Sequence, residues 1–247
     1  MRLTREERAA RWVSFQKMSV ADKADYLWTF YKLRILLTLL ALLLVCPTVY
    51  KQLTKKEVFL YSAHINVSAG DDLEALLNQG FISFAGEDPR KAEVYLYRGL
   101  YLSDNASDED HQYAYASRIK IMASIESKQL DVVLMNREAY DIFSNNGYLL
   151  ELPNLFAQDA SLYYLLEPYL TANTVILEDN AVEYNLREAD EYVAVTEEVV
   201  NGIDVSAFPP LMEAGFPNSV YLGVIANSPR QPAALQYIRY LTSVPAD

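Results

Sequence analysis

Residues 123–152 read ASIESKQLDVVLMNREAYDIFSNNGYLLEL. At the centre, Leu130–Met135 is an apolar run of the kind found in a strand buried on both faces. Before it, from about Asp110 to Lys128, Tyr115, Ile119, Met122 and Ile125 recur at helical spacing. After it, Arg137–Asn146 reads as a second helix, stopped by Gly147 in the left-handed cap position. Helix, buried strand, helix is the unit of an α/β domain.

The same alternation extends outward. Val58–Tyr61 is a short apolar strand, and Asp71/Asp72 opens a helix through Leu76–Leu77 that Gly80 ends. Glu93–Tyr97 alternates as a strand does. Leu155–Tyr169 is helical, Thr174–Leu177 is a strand and Asp179-Asn180 is a tight turn. Val220–Ile225 is another buried strand. Ser228-Pro229-Arg230-Gln231 then opens a last helix that carries Ala234, Tyr237, Ile238 and Leu241 on one face. The expectation is an α/β domain with a mixed sheet, spanning residues 54–247.

Charge divides the chain differently. Residues 1–34 hold eight Lys/Arg against four acids, leaving thirteen basic and 29 acidic residues for the remainder. Overall the net charge is −12, which excludes nucleic acid as a partner, because phosphate binding needs a basic surface. The junction is the uncharged run Ile35–Tyr50, ILLTLLALLLVCPTVY. As a helix those residues span about 24 Å, short of the ~30 Å hydrocarbon core. Snorkelling by Lys32, Arg34 and Lys51 closes that gap, with Tyr50 at the outer interface and Tyr26, Trp28, Phe30 and Tyr31 at the inner one. A transmembrane helix over 33–53 follows, its N-terminus cytoplasmic by the excess of Lys/Arg before it. A buried core helix, a cleaved leader and lipidation at Cys46 are the alternatives. Cys46 is the single cysteine, so no internal disulfide forms.

Residues 1–32 form a cytoplasmic amphipathic head. Thr4 to Glu7 has capping-box spacing ahead of a helix from Arg5 to about Lys17. Ser19 to Asp22 repeats the signal before a helix that runs into the span. This head either sets topology alone or docks a membrane or cytoplasmic protein.

Two segments carry a family resemblance. Asp131-Val132-Val133, Tyr140 or Phe143, Gly147 and Leu149–Leu152 fill the places of a stretch common in extracellular solute-binding proteins. Val220–Leu241 (VYLGVIANSPRQPAALQYIRYL) is similar to their late strand, Asn-Ser turn and C-terminal helix. The external part therefore resembles the type 2 periplasmic-binding fold. The head, with Met18-Ser19, Lys23, Tyr26, Trp28 and Tyr31-Lys32, resembles single-pass membrane proteins of Firmicutes. The resemblance implies two lobes, but fewer residues remain here than two full lobes use. Reduced lobes with a shallow cleft are the expectation.

In that fold the ligand sits at the carboxyl ends of the strands. The candidate ligand residues are then Ser62 and His64, Asn136, Arg137 and Glu138, and Asn227 and Ser228, from the loops after three strands. Asn136 and Asn227 or Ser228 equally suit helix caps. Asp104, Asp108, Glu109, Asp110 and His111 lack the spacing of a Ca²⁺ loop and read as a solvated helix start. The sequence contains no Gly-rich phosphate loop, nucleophile elbow or zinc-protease motif. The expected function is therefore a non-catalytic, membrane-anchored extracellular binding domain for a small molecule or peptide, without a cofactor or metal. The alternative is a structural or regulatory subunit whose external domain has lost its ligand and makes protein contacts.

Overall fold

The structure, a computed structural model, describes residues 12, 18–53, 55–104, 110–157, 159–213, 216 and 218–243. The expected helix Arg5–Lys17 lies outside the described residues, Trp12 excepted. The chain divides into two units, Met1–Lys55 and Lys56–Asp247.

The first unit is the helix α1, Val20–Leu53, 34 residues long. Ser19 caps it: its Oγ accepts from the Asp22 N–H at 3.2 Å and donates to the Asp22 carboxylate at 2.7 Å. The described leucines and Val45 from Leu36 onward are all more than half exposed, so this stretch is apolar all round rather than striped. Among the described residues no helix is long and apolar enough to cross a membrane. The side chains of Ile35 and of residues 46–53 are outside that set, and Leu36–Val45 alone spans roughly 15 Å.

The second unit is an α/β domain around one six-stranded mixed sheet, in the order β2-β1-β3-β6-β5-β4. The strands are β1 Glu57–Ile65, β2 Ala92–Leu100, β3 Val132–Met135, β4 Leu170–Asp179, β5 Ala194–Asp204 and β6 Tyr221–Val224. β1 runs parallel to both β2 and β3; β6 is antiparallel to β3, and β5 to both β6 and β4. β3 and β6 are buried at every position, as their unbroken apolar runs require.

Helices cover both faces of the central strands. One core joins Leu60, Val132, Leu134 and Leu222 to Leu77 and Phe81 and to Tyr237, Ile238 and Leu241. The first pair belongs to α2, a continuous run of Asp71–Ala75, a π-turn Leu76–Gly80 and Phe81–Phe84. The three last-named residues belong to the C-terminal helix Gln231–Ser243. The opposite core joins Ala63, Ile65, Val133 and Met135 to α3 (His111–Glu126) and α4 (Arg137–Asn145).

Several elements depart from expectation. Gly80 does not end α2; its missing side chain admits the Tyr240 hydroxyl, which donates to Leu76 O at 2.8 Å across the π-turn. α3 is rotated: Tyr115, Ile119 and Met122 face outward, while Ala114, Ser117, Ile121, Ser124 and Ile125 are buried. Ser117 Oγ accepts from the Tyr101 N–H at 3.2 Å on the buried side, where Ile121 and Ile125 join the core. The expected helix Leu155–Tyr169 is three short pieces, Leu152–Phe156, Ala160–Leu166 and Glu167–Tyr169, the second capped by the Asp159 carboxylate. β5 had no signal of its own, because its Glu197-Glu198 pair and half-exposed flanks break both alternation and apolar continuity.

The β4–β5 hairpin is fixed to α4 by buried polar bonds. Tyr140 Oη donates to Asn201 Oδ1 at 2.8 Å, Asn201 Nδ2 donates to Ser144 Oγ at 2.8 Å, and Ser144 Oγ donates to Thr174 O at 2.7 Å. Gly202 lies under the Tyr140 ring, where an added Cβ would stand 2.5 Å from the ring carbon Cζ and the hydroxyl. Gly202→Ala is therefore expected to destabilise the domain by about 1–3 kcal/mol. Urea unfolding checks this; an unchanged midpoint would mean that Tyr140 does not pack this closely.

Candidate functional site

The carboxyl ends of β1 and β3 hold a small pocket. Asn66 leaves β1 at φ 56°, in the left-handed region that asparagine tolerates. Its amide Nδ2 donates to Leu102 O at 2.6 Å, and its Oδ1 accepts from the Leu102 N–H at 2.8 Å. The same Nδ2 lies 3.2 Å from Asn136 Oδ1, which also accepts from the Ala139 N–H at 3.0 Å to cap α4. Beside these amides lies a cavity of about 260 Å³, lined also by Val67, Ser68, Phe216, Asn218, Ser219 and Val220. That volume is below the range of about 300–1,000 Å³ usual for small-molecule sites. No lining side chain titrates near neutrality. The pocket therefore suits water or a small neutral polar group, and it has no base to activate Ser68 or Ser219.

The seven expected ligand residues do not converge on this pocket. Because β6 is antiparallel to β3, Val224 pairs with Val132 and Tyr221 with Met135. The loop after β6 therefore emerges at the opposite end of the sheet from the loop after β3, with β3, roughly 13 Å long, between them. This separates Asn227 and Ser228 from Asn136, Arg137 and Glu138. Ser62 and His64 are not in a loop either. β1 continues to Ile65, and both side chains are buried within it.

Five of the candidates make contacts within the fold. Asn136 is the α4 cap. Arg137 pairs with Asp141 at 2.9 Å, and its guanidinium stacks over the Tyr140 and Tyr221 rings. Glu138 accepts from the Asp104 N–H at 3.4 Å, and Asp104 itself pairs with Arg118 at 2.7 Å. Asn227 Nδ2 donates to Ile125 O at 2.8 Å. Ser228 belongs to a cluster around Asp131, which is fully buried. That carboxylate accepts from Ser228 Oγ at 2.6 Å, from Arg230 Nε at 2.7 Å and from the Tyr61 N–H at 2.8 Å. The Arg230 guanidinium also lies 4.7 Å above the Tyr61 ring and donates to Lys128 O.

Among the described residues, Ser62 Oγ and His64 Nε2 have no hydrogen-bond partner. Burial first, and the nearby Arg98 charge second, push the His64 pKa down to about 4. Among the described residues no group of His, Cys, Asp and Glu could hold a metal ion. Of the expected anchor residues, Lys32 and Arg34 are exposed, with Arg34 over the Tyr31 ring at 5.7 Å. The Tyr50 and Lys51 side chains are outside those described.

Two wider grooves lie elsewhere. One of about 750 Å³ sits at the amino end of β1 beside Pro229, Arg230 and Gln236. Another of about 560 Å³ separates α2 from the edge strand β2. Neither is at the carboxyl ends of the parallel strands. Asn66, Phe216 and Asn218 were missed in the sequence. Asn66 lies in a short Asn-Val-Ser stretch after the apolar run of β1, and no spacing marks it, Phe216 or Asn218. No protein family, curated protein or solved structure matches this chain.

Asp131→Ala is expected to cost about 3–5 kcal/mol, since it leaves the half-buried Arg230 without its carboxylate. A thermal melt reads the loss, and a drop no larger than that of Ser228→Ala would remove the ion pair from the stabilising set. His64 gives a pH dependence. Its folded pKa of about 4 is below the ordinary 6.5, so only the unfolded chain takes up a proton between those values. Stability from this source is full above pH 6.5 and falls as the pH drops toward 4, by roughly 3 kcal/mol in all. His64→Gln should flatten that part of the pH profile.

Proposed function

We propose that this chain is a membrane-anchored, non-catalytic binding domain on the extracytoplasmic side, and that it binds protein rather than enclosing a solute. The observation that carries this reading is the single sheet. Ligand capture of the solute-binding kind closes a ligand between two lobes. Among the described residues of the external unit there is one six-stranded sheet within one compact unit, and the pocket at its carboxyl edge is lined from that unit's own loops. The α/β class fits a reduced periplasmic-binding lobe, with β1, β2 and β3 parallel and one reversed strand, β6, beside them.

The anchor is supported by the unbroken helix from Val20 to Leu53 and by its described leucines from Leu36 onward, each more than half exposed. Lipid would cover them without a partner. The basic flank before the span favours an N-terminus in the cytoplasm. Trp28 and Val20, both exposed, give the cytoplasmic segment apolar points for a partner protein. A second reading, a small neutral ligand at Asn66 and Asn136, rests on the 260 Å³ pocket alone.

Two measurements on the full chain test the proposal. It should stay with membranes through alkaline washing, and protease added from outside should remove the α/β domain and spare the N-terminal segment. In detergent, sugars, amino acids, short peptides and divalent metals should leave the melting temperature unchanged. A ligand present at a hundred times its dissociation constant would add about 2.7 kcal/mol, so a clear rise with any of them would overturn the protein-contact reading in favour of ligand capture.

A further inference from the structure

We infer that the outer half of the β4–β5 hairpin is a docking surface for a protein with an apolar face rimmed by Lys and Arg. The inference rests on the protein-contact reading above and names its surface. From Leu177 to Glu198 no described residue is buried, although the base of the hairpin is held tightly by Tyr140, Ser144 and Asn201. Leu177, Val182, Leu186, Val193 and Val195 are each more than half exposed there. Single exposed apolar residues are ordinary, but five within the 22 residues of one hairpin's outer half give it apolar area that a partner can cover.

The tip is built rather than slack. The Asn180 side chain bridges it: Oδ1 accepts from the Val193 N–H and Nδ2 donates to Glu191 O, both at 2.8 Å. Tyr192 Oη donates to the Asp179 carboxylate at 3.1 Å, and its ring meets that of Tyr184. A surface ordered before binding loses little conformational entropy when a partner arrives.

Charge decides among the occupants. Between Leu177 and Glu198 the chain carries eight acidic residues and one base, Arg187. An anionic bilayer or a nucleic acid would be repelled. A second copy is also disfavoured. After residue 34 the chain holds 29 acids against thirteen bases, so two external domains meet as like charges. What complements exposed apolar residues interleaved with these acids is a basic protein face, which the same field would also steer into place.

The test places the photo-crosslinking residue benzoylphenylalanine at Leu186 of the full chain in its membrane and, in separate variants, at Ile119 on the outer face of α3. The expected result is a discrete protein adduct at Leu186 whose crosslinked peptides carry an excess of Lys and Arg. Combining that variant with Glu183→Lys, Glu188→Lys and Glu191→Lys should lower the yield about tenfold or more, with the melting temperature unchanged. An adduct with lipid, with a second copy or with an acidic protein would overturn the inference. So would no adduct at Leu186, or a yield indifferent to the charge reversals. Adducts at Ile119 alone would sink the hairpin surface and leave the protein-contact reading standing. A ligand-induced rise in melting temperature would instead sink that reading itself.

Discussion

The carboxylate of Asp131 joins elements that lie far apart in the chain. It accepts the Tyr61 N–H from β1, the Ser228 hydroxyl after β6 and the Arg230 side chain ahead of the C-terminal helix. Its backbone carbonyl accepts from the Ile225 N–H at 2.8 Å. A fully buried carboxylate is tolerable only with this degree of pairing. Once it is satisfied, the register of β1, β3 and β6 and the start of the last helix are set together. The three strands then present alternate faces to two helical layers, and the two cores form on either side of them.

The reversed strand β6 has the largest functional consequence. Had β6 run parallel to β3, the loops after both strands would share one edge of the sheet. Running antiparallel, it sends Asn227 and Ser228 to the edge where Asp131 waits for Ser228. The residues that looked like a ligand ring thus split into a helix cap at one end and a structural ion-pair cluster at the other. What the described residues form at the carboxyl edge is a small neutral pocket lined by the loops of one sheet. The β4–β5 hairpin carries exposed apolar side chains beyond a firmly held base, and the proposed contact role rests on them.

The N-terminal helix raises the same question of what covers apolar surface. Its leucines point in every direction, so no single packed face could cover them all. A lipid environment satisfies that pattern directly, and the basic residues Lys32 and Arg34 sit where an inner boundary would fall.

Local chemistry was legible in the sequence. The buried runs of β3 and β6, the Asn136 and Ser19 caps, the left-handed Gly147 and the apolar face Ala234, Tyr237, Ile238 and Leu241 each follow from spacing within a few residues. The α/β class with a mixed sheet followed from their alternation. Other features depended on contacts distant in the chain. The buried face of α3 was decided by the Tyr101 N–H that Ser117 accepts and by the core that Ile121 and Ile125 enter. The continuation of α2 past Gly80 was decided by Tyr240, and the burial of Ser62 and His64 by pairing on both sides of β1. The convergence of the candidate site was decided by the direction of β6. Periodicity reports which face of an element is apolar, but the direction in which a strand enters a sheet is set by long-range pairing and by buried groups such as Asp131, which no local pattern encodes.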